Sequence, residues 1–453
     1  MTKPSKPGLL SRVARALGPG LITGAADDDP SGIVTYSLAG AQHGMAFLWL
    51  AWITWPLMAA VQMMCARIGM VTGKGLGEVL MLKFPRSAVI VACAALFIAN
   101  TINIAADLAG MADAASMLFG LPPPVYVALF GSGIALAMVR CRYAMIAAIL
   151  KWLVLSLFAY VVTAFMVNPN WPEVARATFI PTLPEDQAMW QTVVAILGTT
   201  ISPYLFFWQA SQEVEEQTLH GRYGVRRRPA TESKLVDRML DVGAGTALSN
   251  LIMFFIILTA ALTMHAQGKT EIASSREAAE ALRPLAGDLA VWLYAIAIIA
   301  VGLLSIPTLA GSAGYAFAEA LHWPAGFDNK LRDALSFYTT IVLSVAIAVL
   351  IDFLGIDPIK SLFWSAIVNG VLAPFLLVGI PAKRSRYAHH EEAAEPGRGT
   401  SHRRSDDRRD VRRGWDDVLR RTAGRLTPRG RLLSCRRAGI EHRLIEHGQH
   451  GRH

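Results

Sequence analysis

The sequence predicts an all-α integral membrane protein in which two of the membrane-spanning helices are interrupted. Three observations favour this fold class. Hydrophobic residues make up 53% and charged residues 17% of the 453 positions, which is more apolar than a soluble domain of this length. Apolar segments of about 20 residues, enough to cross ~30 Å of hydrocarbon, recur along the chain. Two of these segments carry a proline beside polar residues.

Ten such spans are predicted, and their loops alternate in charge. Lys and Arg concentrate in the N-terminus and in every second loop, so the positive-inside bias places both ends of the bundle in the cytoplasm. Residues 1–17 are then a cytoplasmic segment of a multi-pass protein in the cell (inner) membrane. The spans cover residues 18–41, 45–68, 87–109, 124–139, 143–167, 189–210, 241–264, 289–318, 335–354 and 359–380.

Span 1 contains three consecutive carboxylates, Asp27, Asp28 and Asp29, followed at once by Pro30-Ser31-Gly32. Proline removes a backbone donor and clashes with the preceding turn, so the helix is expected to break here. Freed backbone groups and acidic side chains are tolerated at bilayer depth only where they line a polar cavity or meet a cation. The segment therefore predicts a cation site near the midplane. The alternative is a short helix that ends at Ala26, followed by an acidic surface loop.

Span 6 carries a second interruption, where Pro203 follows Gly198, Thr199, Thr200 and Ser202. Hydroxyls, together with carbonyls freed before a proline, are potential oxygen ligands. Two interrupted spans that lie five apart indicate an inverted-repeat transporter with its site between them. A kinked helix with no ligand role is the alternative for span 6 taken alone.

These residues also carry a family resemblance. GPGLITGAADDDPSG in span 1 resembles the GPG…D-P-G-N signature of the Nramp (natural resistance-associated macrophage protein) family of divalent-metal transporters, most of all its magnesium-transporting branch. GTTISPY in span 6 and AADLAG in span 3 resemble further motifs of that family. The resemblance implies a LeuT-like 5+5 inverted-repeat bundle with discontinuous helices 1 and 6. Residues 18–167 would form repeat 1, and residues 189–381 would form repeat 2.

Departures from the family pattern bear on which metal is carried. The resemblance assigns metal binding to Asp29, but it places Gly32 where the family has asparagine, Thr199 where it has alanine and Ser202 where it has methionine. Losing the soft sulfur ligand favours Mg²⁺, which prefers oxygen, over Mn²⁺ or Fe²⁺. The predicted metal site comprises Asp28, Asp29, Gly32, Thr199 and Ser202.

Proton coupling is expected to be weak for a similar reason. Asp107 keeps the first acid of the family's span 3 motif, but Gly110 replaces the second. Tyr204 and Gln209 occupy the two histidine positions of span 6, and neither titrates near neutral pH. A possible permeation path is assigned to Asp27, Asn103, Asp107, Tyr204 and Gln209. Glu213, Glu215 and Glu216 are interpreted mainly as cytoplasmic surface.

The C-terminal segment, residues 382–453, has a different composition. Residues 383–453 hold 19 Lys or Arg against 10 Asp or Glu, so the formal net charge of +9 resides there. Two interpretations stay open, namely a frameshifted reading of the gene, which is favoured, and a disordered basic tail that touches anionic lipid.

The sequence therefore predicts a secondary transporter for a divalent cation, Mg²⁺ before Mn²⁺, that works by alternating access with little proton coupling. The alternatives are a proton-coupled Mn²⁺/Fe²⁺ importer and a LeuT-fold amino-acid transporter. No enzymatic activity and no cofactor are predicted, because the metal is the cargo. Expected partners are the metal ion and the lipid bilayer. Nucleic acid is not expected, because a cytoplasmic loop explains the basic stretch at 222–234.

Overall fold

A computed structural model describes residues 24, 27–140, 157–219, 232–272, 275–355 and 357–379. This described part is helical. Its α-helices are α1 Pro30–His43, α2 Leu50–Thr72, α3 Leu76–Lys83, α4 Arg86–Phe119, α5 Pro123–Arg140, α6 Phe158–Met166, α7 Trp171–Phe179, α8 Gln187–Thr200, α9 Pro203–Leu219, α10 Glu232–Thr263, α11 Ser275–Ala279, α12 Arg283–Ala286, α13 Ala290–Leu321, α14 Leu335–Asp352 and α15 Pro358–Gly379. Short 3₁₀ turns lie at Gly44–Phe47, His265–Gln267, Glu280–Leu282 and Gly287–Leu289.

Among the described residues, seven apolar segments are long enough to cross a membrane. They correspond to predicted spans 3, 4 and 6 to 10. Segments Pro30–Phe47 and Leu50–Thr72, from predicted spans 1 and 2, form a pair bent by 110°. Most of span 1 before residue 27, most of span 5 and the tail after residue 379 lie outside the described residues.

Both predicted interruptions fall at the prolines. Helix α1 begins at Pro30, directly after the three aspartates. Helices α8 and α9 meet at Ile201–Ser202, so that Pro203 becomes the first residue of α9. Proline suits that position, because its missing N–H is one that a helix start leaves unpaired anyway. Local sequence chemistry thus accounts for both breaks.

The core is organised around α4 and α13, which pack on each other more extensively than any other pair in the described chain. Two polar pairs, Asn100 with Ser312 and Asp107 with Ser305, fix their antiparallel register. Helix α1 packs on α10, which comes from span 7, and α9 packs on α2, which comes from span 2. Span 1 thus packs on span 7, and span 6 packs on span 2. Replacing each span by its counterpart five spans away turns one pair into the other. That exchange is the relation expected of an inverted repeat.

Glycines let the interrupted helices approach their neighbours closely. A Cβ at Gly198 on α8 would overlap the backbone of Ala366 and Gly370 on α15, and a Cβ at Gly40 on α1 would overlap the carbonyl of Ile257 on α10. Small residues at such crossings are the usual means by which membrane helices pack, since lipid supplies no hydrophobic driving force between them.

We expect Gly198→Ala to destabilise the protein by about 1–3 kcal/mol, because its methyl group meets backbone that cannot move aside. The apparent melting temperature of the detergent-purified protein measures the effect. Gly133→Ala on α5 is the matched control, since a Cβ there meets no atom within 4 Å. Equal melting temperatures for the two variants would contradict this account of the α8–α15 contact.

Candidate metal site at the interrupted helices

Asp29 is the N-cap of α1 and is almost fully buried. Its Oδ1 accepts a hydrogen bond from the Gly32 amide at 2.7 Å and another from the Ser31 hydroxyl at 2.6 Å. Its Oδ2 accepts from Asn103 Nδ2 on α4 at 3.0 Å. An N-cap carboxylate satisfies the orphan amides of the first helical turn and opposes the positive end of the helix dipole. Asp29 thus holds the break together and also presents a carboxylate at it.

The two preceding aspartates face another helix. The Ser249 hydroxyl of α10 lies 2.9 Å from Asp27 Oδ2 and 3.0 Å from Asp28 Oδ1. One hydroxyl has one proton to donate, so these two carboxylates share a single donor. Asp27 Oδ1 and Asp28 Oδ2 are buried and have no hydrogen-bond partner.

Helix α4 supplies the polar wall on the other side of α1. Asp107 Oδ2 accepts from Ser305 on α13 at 3.0 Å, while Asp107 Oδ1 is buried without a partner. Asp107 lies close enough to Asp29 for the two charges to interact. Asn103 lies one helical turn before Asp107 on the same face of α4, and both side chains are fully buried.

The α8–α9 break is held by hydroxyls and joined to α1. The Ser202 hydroxyl lies 2.7 Å from both the Gly198 and the Thr199 carbonyls. Pro203 has no N–H, so the Thr199 carbonyl has no helical partner four residues on. The Thr199 hydroxyl lies 2.9 Å from the Tyr36 hydroxyl on α1. The two interrupted helices therefore contact each other directly through side chains.

Tyr204 and Gln209, two further residues predicted from the sequence, lie on α9. Tyr204 is fully buried and lies within electrostatic range of Asp27, Asp29 and Asp107. Gln209 Nε2 donates to Glu213 Oε1 at 2.9 Å, one turn further along α9, and Gln209 Oε1 is buried without a hydrogen-bond partner. Its assignment to a permeation path stays a prediction.

The described part of the site is rich in oxygen atoms that accept hydrogen bonds and poor in groups that donate them. Buried oxygens without a partner belong to Asp27, Asp28, Asn103 and Asp107. Among the described residues, no three His, Cys, Asp or Glu side chains converge as a ready-made metal cluster. A cation here would therefore bind one or two carboxylates together with hydroxyl, amide and carbonyl oxygens, which is the donor set of a hard divalent ion.

Glu213, interpreted above as surface, is only 2% exposed. Its Oε1 pairs with Arg238 Nε on α10 at 2.7 Å. The same guanidinium pairs with Asp241 Oδ2 at 2.8 Å and with the more exposed Glu216. The surface interpretation is wrong for Glu213, because the guanidinium compensates the cost of burying its charge.

Glu215 was also assigned to the surface and is instead partly buried in a contact with α13. Its Oε1 accepts from the Tyr315 hydroxyl at 2.6 Å and from the Phe327 amide at 2.8 Å. Glu319 on α13 completes this side by accepting from Ser211 on α9 at 2.6 Å and from the Gly77 amide at 2.8 Å. The predicted cytoplasmic half of α9 is therefore held by carboxylates on two sides.

Three residues that contact the site were not predicted from the sequence, namely Tyr36, Ser249 and Ser305. Each is a polar residue in a long apolar helix. Such residues more often hydrogen-bond to the preceding turn of their own helix, as the Thr263 hydroxyl does with the Thr259 carbonyl and the Ser344 hydroxyl with the Ile341 carbonyl. The only available signal was helical spacing, since Tyr36 lies two turns after Asp29.

We expect Arg238→Met to destabilise the fold by about 3–5 kcal/mol, because it leaves the buried Glu213 charge without compensation. Lys74→Met is the control, since Lys74 pairs with Glu78 at 2.5 Å in a more exposed place, where such a pair contributes about 0–1 kcal/mol. Thermal unfolding in detergent compares the two variants. Arg238→Met melting at the wild-type temperature would show that the cluster does not stabilise the α9–α10 contact.

Comparison with known proteins identifies the family that the chain resembles. The family model described as natural resistance-associated macrophage protein-like matches residues 20–382. The divalent metal cation transporter MntH of Yersinia pestis (strain Pestoides F) is 29% identical over 307 residues, which cover 65% of this chain and 71% of that protein. The MntH of Yersinia pseudotuberculosis serotype O:1b matches with the same values.

Solved structures show the same fold. The crystal structure of the Eremococcus coleocola manganese transporter, in complex with an aromatic bis-isothiourea substituted compound, superposes with a TM-score of 0.66 at 17% identity, covering 93% of this chain and 88% of that one. Mhp1, a nucleobase-cation-symport-1 family transporter in a closed conformation, gives a TM-score of 0.51 at 12% identity, covering 81% and 74%. The predicted LeuT-like bundle with interrupted spans 1 and 6 is thereby confirmed.

Proposed function

The chain belongs to the natural resistance-associated macrophage protein (Nramp) family, and from that premise we propose that it carries a divalent metal cation across a cell membrane by alternating access. The relatives named above are a divalent metal cation transporter and a manganese transporter. Within that class we propose Mg²⁺ as the preferred cargo, with Mn²⁺ also accepted.

One observation carries this proposal: the break before α1 and the facing side of α4 gather buried oxygen atoms that lack hydrogen-bond donors. Asp29 Oδ2 has one donor in the structure, and the nearby oxygens of Asp28, Asn103 and Asp107 include atoms with none. Unpaired acceptors are costly in a membrane interior unless a cation or water meets them. The side chains at the break, including Ser202 in place of the family's methionine, offer oxygen, and oxygen favours Mg²⁺.

We propose further that coupling to protons is weak. Tyr204 stands where the family pattern has histidine, and Gly110 stands where it has an acid. A Cβ at Gly110 would lie 3.0 Å from Leu362 Cδ1 on α15, so a larger side chain there would require that leucine to shift. A proton-coupled Mn²⁺ importer is the second candidate, and the manganese transporter among the similar structures supports Mn²⁺ as its cargo.

The membrane arrangement forms part of the same proposal. Repeat 1 covers residues 18–167 and repeat 2 covers residues 189–381. The N-terminal segment lies in the cytoplasm and the bundle lies in the cell membrane. The exchange of helix pairs described above supports the repeats, and the alternating loop charges support the orientation.

We expect Asp29→Ala to abolish Mg²⁺ and Mn²⁺ uptake into proteoliposomes, because it removes the carboxylate at the break. Asp186→Ala is a matched control. Asp186 is likewise an N-cap, accepting from Met189 at 2.8 Å at the start of α8, but it is exposed, so its loss costs only about 1 kcal/mol of stability. A pH dye inside the vesicles reports coupling. Normal uptake by folded Asp29→Ala would overturn the site, and acidification during uptake would favour the proton-coupled candidate.

Ser202→Met restores a sulfur at the break and should move preference towards soft cations. Because thioether sulfur prefers soft cations, we expect Cd²⁺ or Mn²⁺ uptake to gain about tenfold over Mg²⁺, equivalent to about 1.4 kcal/mol. Competition between the metals at fixed total concentration measures the ratio. Ser202→Ala controls for the lost hydroxyl. An unchanged ratio in Ser202→Met would mean that position 202 does not set selectivity.

A further inference from the structure

The amide of Asn103 is buried beside Asp29 with one of its two polar atoms unused. Nδ2 donates to Asp29 Oδ2 at 3.0 Å, whereas Oδ1 has no hydrogen-bond partner and the side chain is fully buried. Electrostatics fixes this orientation, since a flipped amide would place its oxygen against the carboxylate. Asn103 Oδ1 is therefore an acceptor held next to Asp29 by the other half of the same amide.

Gly32 leaves the first turn of α1 without a side-chain amide, so an amide at this site must come from another helix. Gly32 offers no side chain, although a Cβ at that position would meet Tyr36 and Asp29 only at ordinary contact distances of 3.4 Å and 3.5 Å. The first turn of α1 therefore has space for a Cβ at position 32 but contributes no side-chain amide. Both hydrogen bonds to Asp29 Oδ1 come from that turn. The other oxygen, Oδ2, therefore faces Asn103 and is the oxygen left to bind a cation.

We propose that Asn103 is a direct ligand of the transported cation, supplying through Oδ1 the amide oxygen that the span 1 motif of this chain lacks. This inference rests on the proposed function, because it assigns one more ligand to the same site. An amide oxygen is a neutral, hard donor of the kind that Mg²⁺ and Ca²⁺ accept beside carboxylates. Asn103 Nδ2 meanwhile keeps Asp29 Oδ2 turned towards the ion, so that one side chain both binds the cargo and orients the principal carboxylate.

The test measures the KM for Mg²⁺ uptake by the full chain in proteoliposomes and the Kd of Mg²⁺ by calorimetry in detergent. We expect Asn103→Ala to raise both by about tenfold or more, as the loss of a coordinating partner does in other metal sites. Asn103→Leu keeps the side-chain volume and should give the same result if the alanine variant fails to fold. Thr101→Val is the control, since the Thr101 hydroxyl bonds only to Phe97 of its own helix at 2.7 Å.

An amide placed at position 32 separates binding from positioning. We expect the double variant Gly32→Asn/Asn103→Ala to restore KM to within about threefold of wild type, because the new amide enters the site from α1. A threefold difference corresponds to about half of 1.4 kcal/mol. If Asn103 only oriented Asp29 from α4, an amide in the first turn of α1 would restore nothing, since that turn already bonds to the opposite oxygen of Asp29.

The outcomes distinguish this inference from the proposed function. Loss of Mg²⁺ binding in Asp29→Ala, with Asn103→Ala and Asn103→Leu both within about twofold of wild type, would overturn the Asn103 assignment and leave the function standing. Undiminished binding in Asp29→Ala would instead overturn the site as a whole. A raised KM in both Asn103 variants without rescue by Gly32→Asn would assign Asn103 a positioning role and reject it as a ligand.

Discussion

The rest of the structure depends on how a broken helix satisfies its backbone inside the bilayer. At the start of α1 the first amides have no helical acceptor, and no water is available in hydrocarbon to replace one. Asp29 meets this need by accepting from the Gly32 amide, and from the Ser31 hydroxyl, with one carboxylate oxygen, which leaves the other oxygen for α4. The same residue is therefore structural and chemical at once. A neutral cap would close the helix equally well, but it would bring no charge to the site.

The charge on Asp29 is one of three on adjacent residues, and this affects which helices the aspartates contact. Three adjacent carboxylates repel one another, and the chain separates them by direction: Asp27 and Asp28 turn to Ser249 on α10, while Asp29 turns to Asn103 on α4. The shared Ser249 proton satisfies only part of their capacity. What remains is a group of oxygens from α1 and α4, with the α8–α9 hydroxyls joined through Tyr36 and Thr199. A bound cation would relieve both the repulsion between the carboxylates and the lack of donors to these oxygens.

Local chemistry made the breaks predictable, because Pro30 and Pro203 act on their own helices whatever packs around them. The segments beside these two prolines could therefore be predicted as the parts of the chain that carry candidate ligands. Partners across helices were less accessible: Ser249 and Ser305 look like any hydroxyl in an apolar span, and only the register of α10 and α13 brings them to the aspartates. Gln209 was placed by alignment with a motif, yet its contact is with Glu213, one turn along α9. Glu213 itself looked exposed because its compensating arginine, Arg238, lies on a different helix.

The carboxylates on α9 also constrain how the protein could alternate between its two sides. Glu213 forms an ion pair with Arg238 on α10, the Phe327 amide after α13 donates to Glu215, and the Ser211 hydroxyl donates to Glu319 on α13. Separating any of these contacts would leave a buried carboxylate without its partner. The free energy from binding a single cation does not easily offset that cost. The contact between the two interrupted helices, Tyr36 with Thr199, is by comparison one neutral hydrogen bond, worth about 1 kcal/mol. Separating α1 from α8 at this contact therefore costs less than separating α9 from α10 or α13, whereas α1 stays tied to α10 through Ser249 and to α4 through Asn103.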